Sequence, residues 1–210
     1  MSLPNTLPIF PLPSVLLVPG AYLPLHVFEP RYRQMVADAM AGGRALAMAM
    51  PLPLRDGDQA ERPRIHPVVG LGRILHHRPY EDGRCDIVLA GIARMRIERE
   101  LPSEKLYRTV HARELADVYP DGQDLMGPAR SLLARLTDLP DDDRARLAEL
   151  PAGRLVDAVL LRLALPVREK HRIHAIPAVA TRLAEVERAS ARLDGVVYPA
   201  DIGPGDPRLN

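Results

Sequence analysis

Five prolines, at positions 8, 11, 13, 19 and 24, fall within residues 7–28 of the stretch 7–35 (LPIFPLPSVLLVPGAYLPLHVFEPRYRQM), and they restrict what this chain can fold into more than any other feature. A proline inside a helix lacks the N–H its turn needs and clashes with the carbonyl before it, so no long helix fits ahead of residue 29. Short extended pieces remain. Residues 7–10 and 14–18 are apolar runs fenced by proline and read as strands, and residues 22–28 read as a further extended segment. Pro30 has the fixed φ that suits a first helical turn, and Tyr32, Met35, Val36 and Met40 then recur at helical spacing.

That helix is expected to stop at Gly42-Gly43, where glycine takes the left-handed conformation cheaply. Residues 44–50 read as a buried strand. Residues 51–67, with prolines at 51, 53, 63 and 67 and the turn former Asp56-Gly57, form a loop that is long for a connector inside one domain. Residues 68–76 carry apolar side chains on both parities (Val68, Val69, Leu71, Ile74, Leu75), as a strand covered on both faces would. After a turn at Asp82-Gly83, the odd positions Cys85, Ile87, Leu89, Gly91, Ala93, Met95 and Ile97 set a period of two with one buried face. Strands usually run about 5 to 6 residues, so Gly91 is expected to mark a bend or bulge in this longer run. Residues 106–115 form a weaker strand candidate.

From Asp121 the period changes to that of a helix. Leu125, Ala129, Leu132, Leu133 and Leu136 share one helical face, and Asp141 to Asp143 favour the positive end of a second helix. Pro151, Pro166 and Pro177 open three more, the last carrying Val179, Leu183, Val186 and Leu193 and ending at Gly195. The reading is an α+β chain: a β-rich subdomain over residues 1–117, a helical subdomain over 118–195, and a flexible tail over 196–210 with prolines at 199, 204 and 207.

Only 4% of residues are aromatic, so the core must be aliphatic. The net charge is +1, and the halves on either side of Asp117 carry +2 and −1. Neither half is basic enough to read as a polyanion-binding surface, which weakens a nucleic-acid reading. Cys85 is the single cysteine, so no intrachain disulfide forms and the chain suits a reducing compartment. The first twenty residues lack the basic start and unbroken apolar core of a signal peptide. No run approaches the ~20 apolar residues that span a bilayer. The expected location is the cytoplasm, with no membrane partner.

The chemistry-bearing patterns are sparse. No Lys follows a Gly, which removes the phosphate loop of an ATPase. Ser103 near Lys105 is the one local Ser–Lys pairing and sits in a polar turn. The period of two points Cys85 inward, His76 and His77 face opposite ways on a strand, and His171 and His174 read as one solvated helix face. No catalytic residue, metal site or cofactor is therefore expected. The cluster Glu29, Arg31, Tyr32, Arg33 reads either as a recognition patch or as an ion-paired helix start. Leu23, Leu25 and Phe28 lie beside it in sequence. Those that stay exposed would join Glu29, Arg31 and Tyr32 in an interaction patch for apolar polypeptide.

The order LP-x-F-PL, PG, LPL-x-x-FEPRYR-x-M in residues 7–35 resembles the start of the Lon protease amino-terminal, substrate-binding domain family, especially its stand-alone bacterial members. A second block, residues 68–97, is similar to the family's pattern at Val69, Gly70, Ile74, Asp82, Gly83, Val88, Leu89, Gly91, Arg94 and Ile97. The resemblance implies a PUA-like β pseudo-barrel with one early helix, followed by a small helical bundle. It also implies a non-catalytic module that binds unfolded or hydrophobic polypeptide segments, usually for delivery to an attached ATPase and protease. This sequence ends at Asn210 with neither, so service as an adaptor to a separate ATP-dependent protease is the corresponding expectation. The loop at 51–67 is longer than the family's usual one. Two other readings stay open: an RNA-binding PUA-like protein, which would cluster arginines on one face, and an enzyme with an unrecognised site, which would show a polar cleft of perturbed groups.

Overall fold

The computed structural model describes residues 3–193 apart from 58, 60, 61 and 138. The expected helix stop at Gly195 and the tail at 196–210 lie outside the described residues. The chain divides after Leu115 into two compact units.

The first unit contains β1 (Thr6–Pro11), β2 (Tyr22–Val27), α1 (Pro30–Ala41), β3 (Ala45–Ala49), β4 (Val68–Pro79), β5 (Cys85–Leu101) and β6 (Arg108–Glu114). The long strand β5 organises it. One end of β5 pairs with β2, from Val27↔Cys85 to Tyr22↔Ala90, and the other pairs with β6, from Met95↔Glu114 to Leu101↔Thr109. Its opposite edge runs along β4. Since β4 pairs with β3, β3 with β1 in parallel, and β1 with β6, five strands close a ring and β2 stays outside it. This is the expected PUA-like pseudo-barrel. The register slips where Leu71 and Gly72 face Ala93 and Gly91, a bulge that lets β5 turn the corner at the expected glycine. A second slip between Ile74 and His76 ejects Leu75, which is 53% exposed; burial on both faces of β4 ends at Gly72, with Arg73 already exposed, and Ile74 is its last buried residue.

Residues 14–18 do not form the expected strand. Val15, Leu17 and Val18 are buried, yet the segment presses its backbone onto the sheet instead of pairing with an edge. A Cβ on Gly70 would lie 2.2 Å from the Leu17 carbonyl oxygen, and one on Gly91 would lie 2.0 Å from that of Val18. The strands carry glycine there because the crossing backbone occupies the side-chain space. The Gly91 N–H donates to Ala21 O at 2.8 Å and Gly20 N–H to Gly91 O at 2.9 Å, fixing the crossing.

Helix α1 begins at Pro30 as expected and buries Tyr32, Met35, Val36 and Ala39. It ends at Gly42, whose φ is −117°; the left-handed residue is Arg44, with φ 57°. The apolar core forms two layers. Phe10, Tyr32, Met35, Leu46 and Leu89 meet under α1, and Leu7, Ile9, Leu71, Met95 and Val110 fill the ring.

The second unit holds α2 (Met126–Ala134), α3 (Asp141–Ala148), α4 (Ala152–Arg162), α5 (Val167–His174) and α6 (Val179–Ala191). Helices α2, α4 and α6 follow the predicted stripes, α3 buries none of its residues, and Pro140, Pro151 and Pro166 stand immediately before α3, α4 and α5. Leu132, Leu155, Val159, Leu160, Ile173, Leu183 and Val186 meet in its core.

One expectation here is overturned. His171 and His174 are buried, not solvated. The fully buried Arg182 places its Nε 3.0 Å from Asp157 Oδ1, donates to Asp117 Oδ1 at 2.7 Å and donates to Ile176 O at 2.6 Å. His174 Nδ1 lies 3.1 Å from the same Asp157 oxygen. Ile173 is the anchor that turns this otherwise polar helix inward and carries both histidines with it. The entry segment is pinned beside them by Val118 N–H to Pro177 O (3.0 Å) and Val179 N–H to Val118 O (2.9 Å).

Candidate functional site

The six residues expected to form an interaction patch do not share one surface. Leu23 (3% exposed) and Tyr32 (6%) belong to the core, and Leu25 packs half-buried against it. The alternation of β2 explains the leucines: Leu23, Leu25 and Val27 share the face that turns toward the core. Tyr32 is held by Phe10, its ring stacked at 4.2 Å between centroids. Phe28 is 60% exposed and leans toward His26, 6.2 Å away ring to ring. Glu29 and Arg31 form a half-exposed ion pair at 2.8 Å, which is the bland alternative the sequence left open.

Glu29, Arg31 and Tyr32 nevertheless come together again, in a groove of about 640 Å³, within the range typical of ligand sites. β1 supplies Ile9 and Pro11, the start of α1 supplies Glu29 to Tyr32, the loop at 51–67 supplies Arg62, and the β5–β6 connection supplies Ser103 and Lys105 to Arg108. The apolar part consists of Ile9, Pro11, Pro30, the Tyr32 ring and Leu106, which is 64% exposed. Gln34 Oε1 accepts the Leu106 N–H at 2.9 Å and so fixes the loop that presents this side chain. The Arg31 guanidinium sits 4.6 Å above the Tyr32 ring, a cation–π contact, and burial pushes the Tyr32 phenol up from its ordinary pKa.

The walls are braced by ion pairs. Arg108 forks onto Glu100 (Nε to Oε1 3.0 Å, NH2 to Oε2 2.8 Å) and its NH1 donates to Pro63 O at 2.7 Å, tying the long loop to β6. Arg62 shares Glu100 at 3.2 Å. These bonds, Arg108 first, hold the Glu100 carboxyl below the usual carboxylate range. On the other side, Lys105 donates to Tyr107 Oη and Asp38 Oδ2, both at 2.9 Å, and Tyr107 donates to Asp38 at 2.7 Å. The hydrogen bonds to Tyr107 and Asp38 raise the Lys105 ammonium above its ordinary value. Lys105 and Tyr107 also line a second groove, of about 810 Å³, with Leu3, Asp38, Leu71 and Ile92.

Cys85 is buried and its thiol is pushed up by burial, the opposite of an activated nucleophile. Among the described residues no three His, Cys, Asp or Glu side chains are grouped to hold a metal ion, and no helix is long and apolar enough to cross a membrane. A polar cluster that sequence reasoning missed joins β2 to β5: His26 Nδ1 lies 2.7 Å from Asp86 Oδ1, and Tyr80 donates to Asp86 Oδ2. Those hydrogen bonds, Tyr80 first, hold the Asp86 carboxyl low.

The groove thus sets an apolar floor beside cations that carboxylates hold. The family is established by comparison: residues 6–189 match the ATP-dependent protease La (LON) substrate-binding domain, and the chain belongs to that family. It is 31% identical over 122 residues to a Lon protease of Flavobacterium johnsoniae, covering 58% of this chain and 15% of that one. It is 24% identical over 201 residues to a Lon protease of Trichlorobacter lovleyi, covering 91% and 24%. The chain thus spans a quarter or less of these relatives. In fold it is similar to the N-terminal domain of Mycobacterium avium complex Lon protease (TM-score 0.68, 17% identity, covering 89% of this chain and 98% of that one). It is also similar to a Lon N-terminal domain protein from Xanthomonas campestris (TM-score 0.60, 23% identity, 87% and 97%).

Proposed function

We propose that this chain is a non-catalytic cytoplasmic module that binds unfolded or hydrophobic polypeptide segments in the groove beside Tyr32, and that it serves a separate ATP-dependent protease as an adaptor. Family membership supports the substrate-binding role. The observation that carries the choice of site is Leu106, a large apolar side chain held out over an apolar floor by a fixed loop. Of the six patch residues, Glu29, Arg31 and the edge of Tyr32 are kept as contacts; Leu23 and Leu25 act through the core, and Phe28 lies outside the groove.

Apolar contact contributes about 25 cal/mol per Å² and demands little geometry, which suits a module that takes unrelated segments. Losses on association and peptide ordering offset much of that gain, so dissociation constants of about 1 μM or weaker are expected. The test is to titrate a reduced, alkylated and labelled client against the wild type, Leu106→Asp and Phe28→Ser. Leu106→Asp should weaken binding by about tenfold, a change of about 1.4 kcal/mol, while Phe28→Ser stays near wild type. Wild-type affinity in Leu106→Asp would remove the groove from the reading.

A further inference from the structure

The groove beside Tyr32 and the second groove, of about 810 Å³, are walled by the same elements. β1 lines the first with Ile9 and Pro11 and the second with Thr6 and Pro8. α1 runs the opposite way, lining the first with Pro30 to Tyr32 and the second with Asp38 and Ala39. Lys105 and Tyr107 line both, so the grooves follow one another along a single trough. What divides them is a strap. Lys105 donates to Asp38 Oδ2 at 2.9 Å and Tyr107 donates to the same oxygen at 2.7 Å, joining the β5–β6 connection to α1. The Lys105 and Asp38 side chains are 51% and 40% exposed; a pair so exposed contributes little to stability, and moving it aside costs little.

We propose that the two grooves are one track, and that the unfolded segment taken beside Tyr32 continues past Lys105 into the second groove as an extended chain of about six residues. This rests on the peptide-binding reading above and adds to it the length and conformation of what is bound. The length follows from the walls. The six residues of β1 extend about 20 Å at about 3.3 Å each, and the twelve of α1 about 18 Å at about 1.5 Å each, so both walls measure the same track. An extended client covers it with about six residues, whereas a helical one needs about twelve. Continuity with the groove beside Tyr32 assigns the occupant, and the lining of the second groove suits it. Leu3, Pro8, Leu71 and Ile92 make that lining apolar, and Thr6 and Thr109 add hydroxyl groups, which can donate to or accept from the main chain of any sequence. A module that takes unrelated segments gains from both, because neither apolar area nor main-chain bonding depends on one particular side chain.

The test follows labelled peptides of alternating Leu and Ser, three, six and nine residues long, by fluorescence anisotropy against the wild type and Gly43→Glu. Gly43 lines the second groove and not the first, and a Cβ there meets nothing within 4 Å, so the substitution obstructs the track without straining the fold. Wild-type affinity should rise about tenfold from three residues to six, and by less than about threefold from six to nine. In Gly43→Glu, with its unfolding midpoint close to wild type, the six-residue peptide should fall to the affinity of the three-residue one, which itself stays unchanged. Equal affinity at all three lengths, the same length dependence in Gly43→Glu, or a gain from six to nine as large as that from three to six overturns the continuous track and leaves the peptide-binding reading standing. Failure of every peptide to bind overturns both. A wild-type dimer in sedimentation that Gly43→Glu dissociates gives the second groove to another copy of the chain and overturns the track.

Discussion

The two units are built from the same aliphatic stock, and the ion pairs that matter most in each sit at different depths. In the β unit the strand period of two sends polar residues outward, and the ion pairs of the groove are half-exposed: Arg31–Glu29, Arg62–Glu100, Lys105–Asp38. In the helical unit Arg182 and Asp157 are buried, with His174 against the same carboxylate. Exposed pairs contribute little to stability and remain available to a ligand, whereas a buried pair is costly to break and unavailable. The difference teaches that charge count alone does not locate a binding surface. The groove of the β unit keeps its ion pairs at the surface, and the helical unit, besides exposed pairs such as Arg172–Glu185, uses the buried Arg182 to hold the 117–119 segment against α6.

The largest effect that would break this comparison is in the helical unit. Arg182→Met leaves Asp157 buried without its guanidinium and should cost about 3–5 kcal/mol, read as a fall in urea midpoint. Adding Asp157→Leu should recover part of that loss. A change below about 1 kcal/mol would place this network with the exposed pairs.

Next comes the backbone crossing in the β unit. Gly91→Ala sets a methyl 2.0 Å from the Val18 carbonyl and should cost about 1–3 kcal/mol through strain. The same substitution at Gly43, with nothing within 4 Å, should have a far smaller effect. Equal effects at the two positions would contradict the crossing.

The smallest effect concerns pH. The folded-state pKa of Glu100 is depressed, so its contribution is present above the unfolded value of about 4.3 and is lost as pH falls through the lower folded one. Glu100→Gln should therefore lower stability slightly at pH 7 and flatten the fall in unfolding midpoint between about pH 5 and pH 3. Its side chain is 38% exposed, so screening keeps the difference small. A flatter profile without any loss at neutral pH would contradict the direction.

Which parts of this were legible depended on where the information sat. Residues 85–97 announced their strand because alternation is local, and the helices announced themselves through stripes and prolines. Residues 14–18 misled because apolar composition shows burial without showing pairing; the clue lay elsewhere in the chain, in Gly70 and Gly91, which make room for them. His171 and His174 misled because six of the eight residues of VREKHRIH are polar or charged, and one isoleucine decides which way the helix faces. In the site, Glu29, Arg31 and Tyr32 were findable because they adjoin in sequence. Arg62, Lys105, Leu106 and Arg108 were not, since only the pairings of β6 with β1 and β5 carry residues 103–108 to the start of α1.

The central claim is that unfolded polypeptide enters the groove beside Tyr32. A photo-crosslinking residue placed at position 106, on the groove, can be compared with one at position 75, exposed on β4 outside it, each incubated with a labelled denatured client. The account predicts strong capture from position 106, competed by unlabelled client, and only background from position 75. Equal capture at both, or capture from 75 alone, would contradict it.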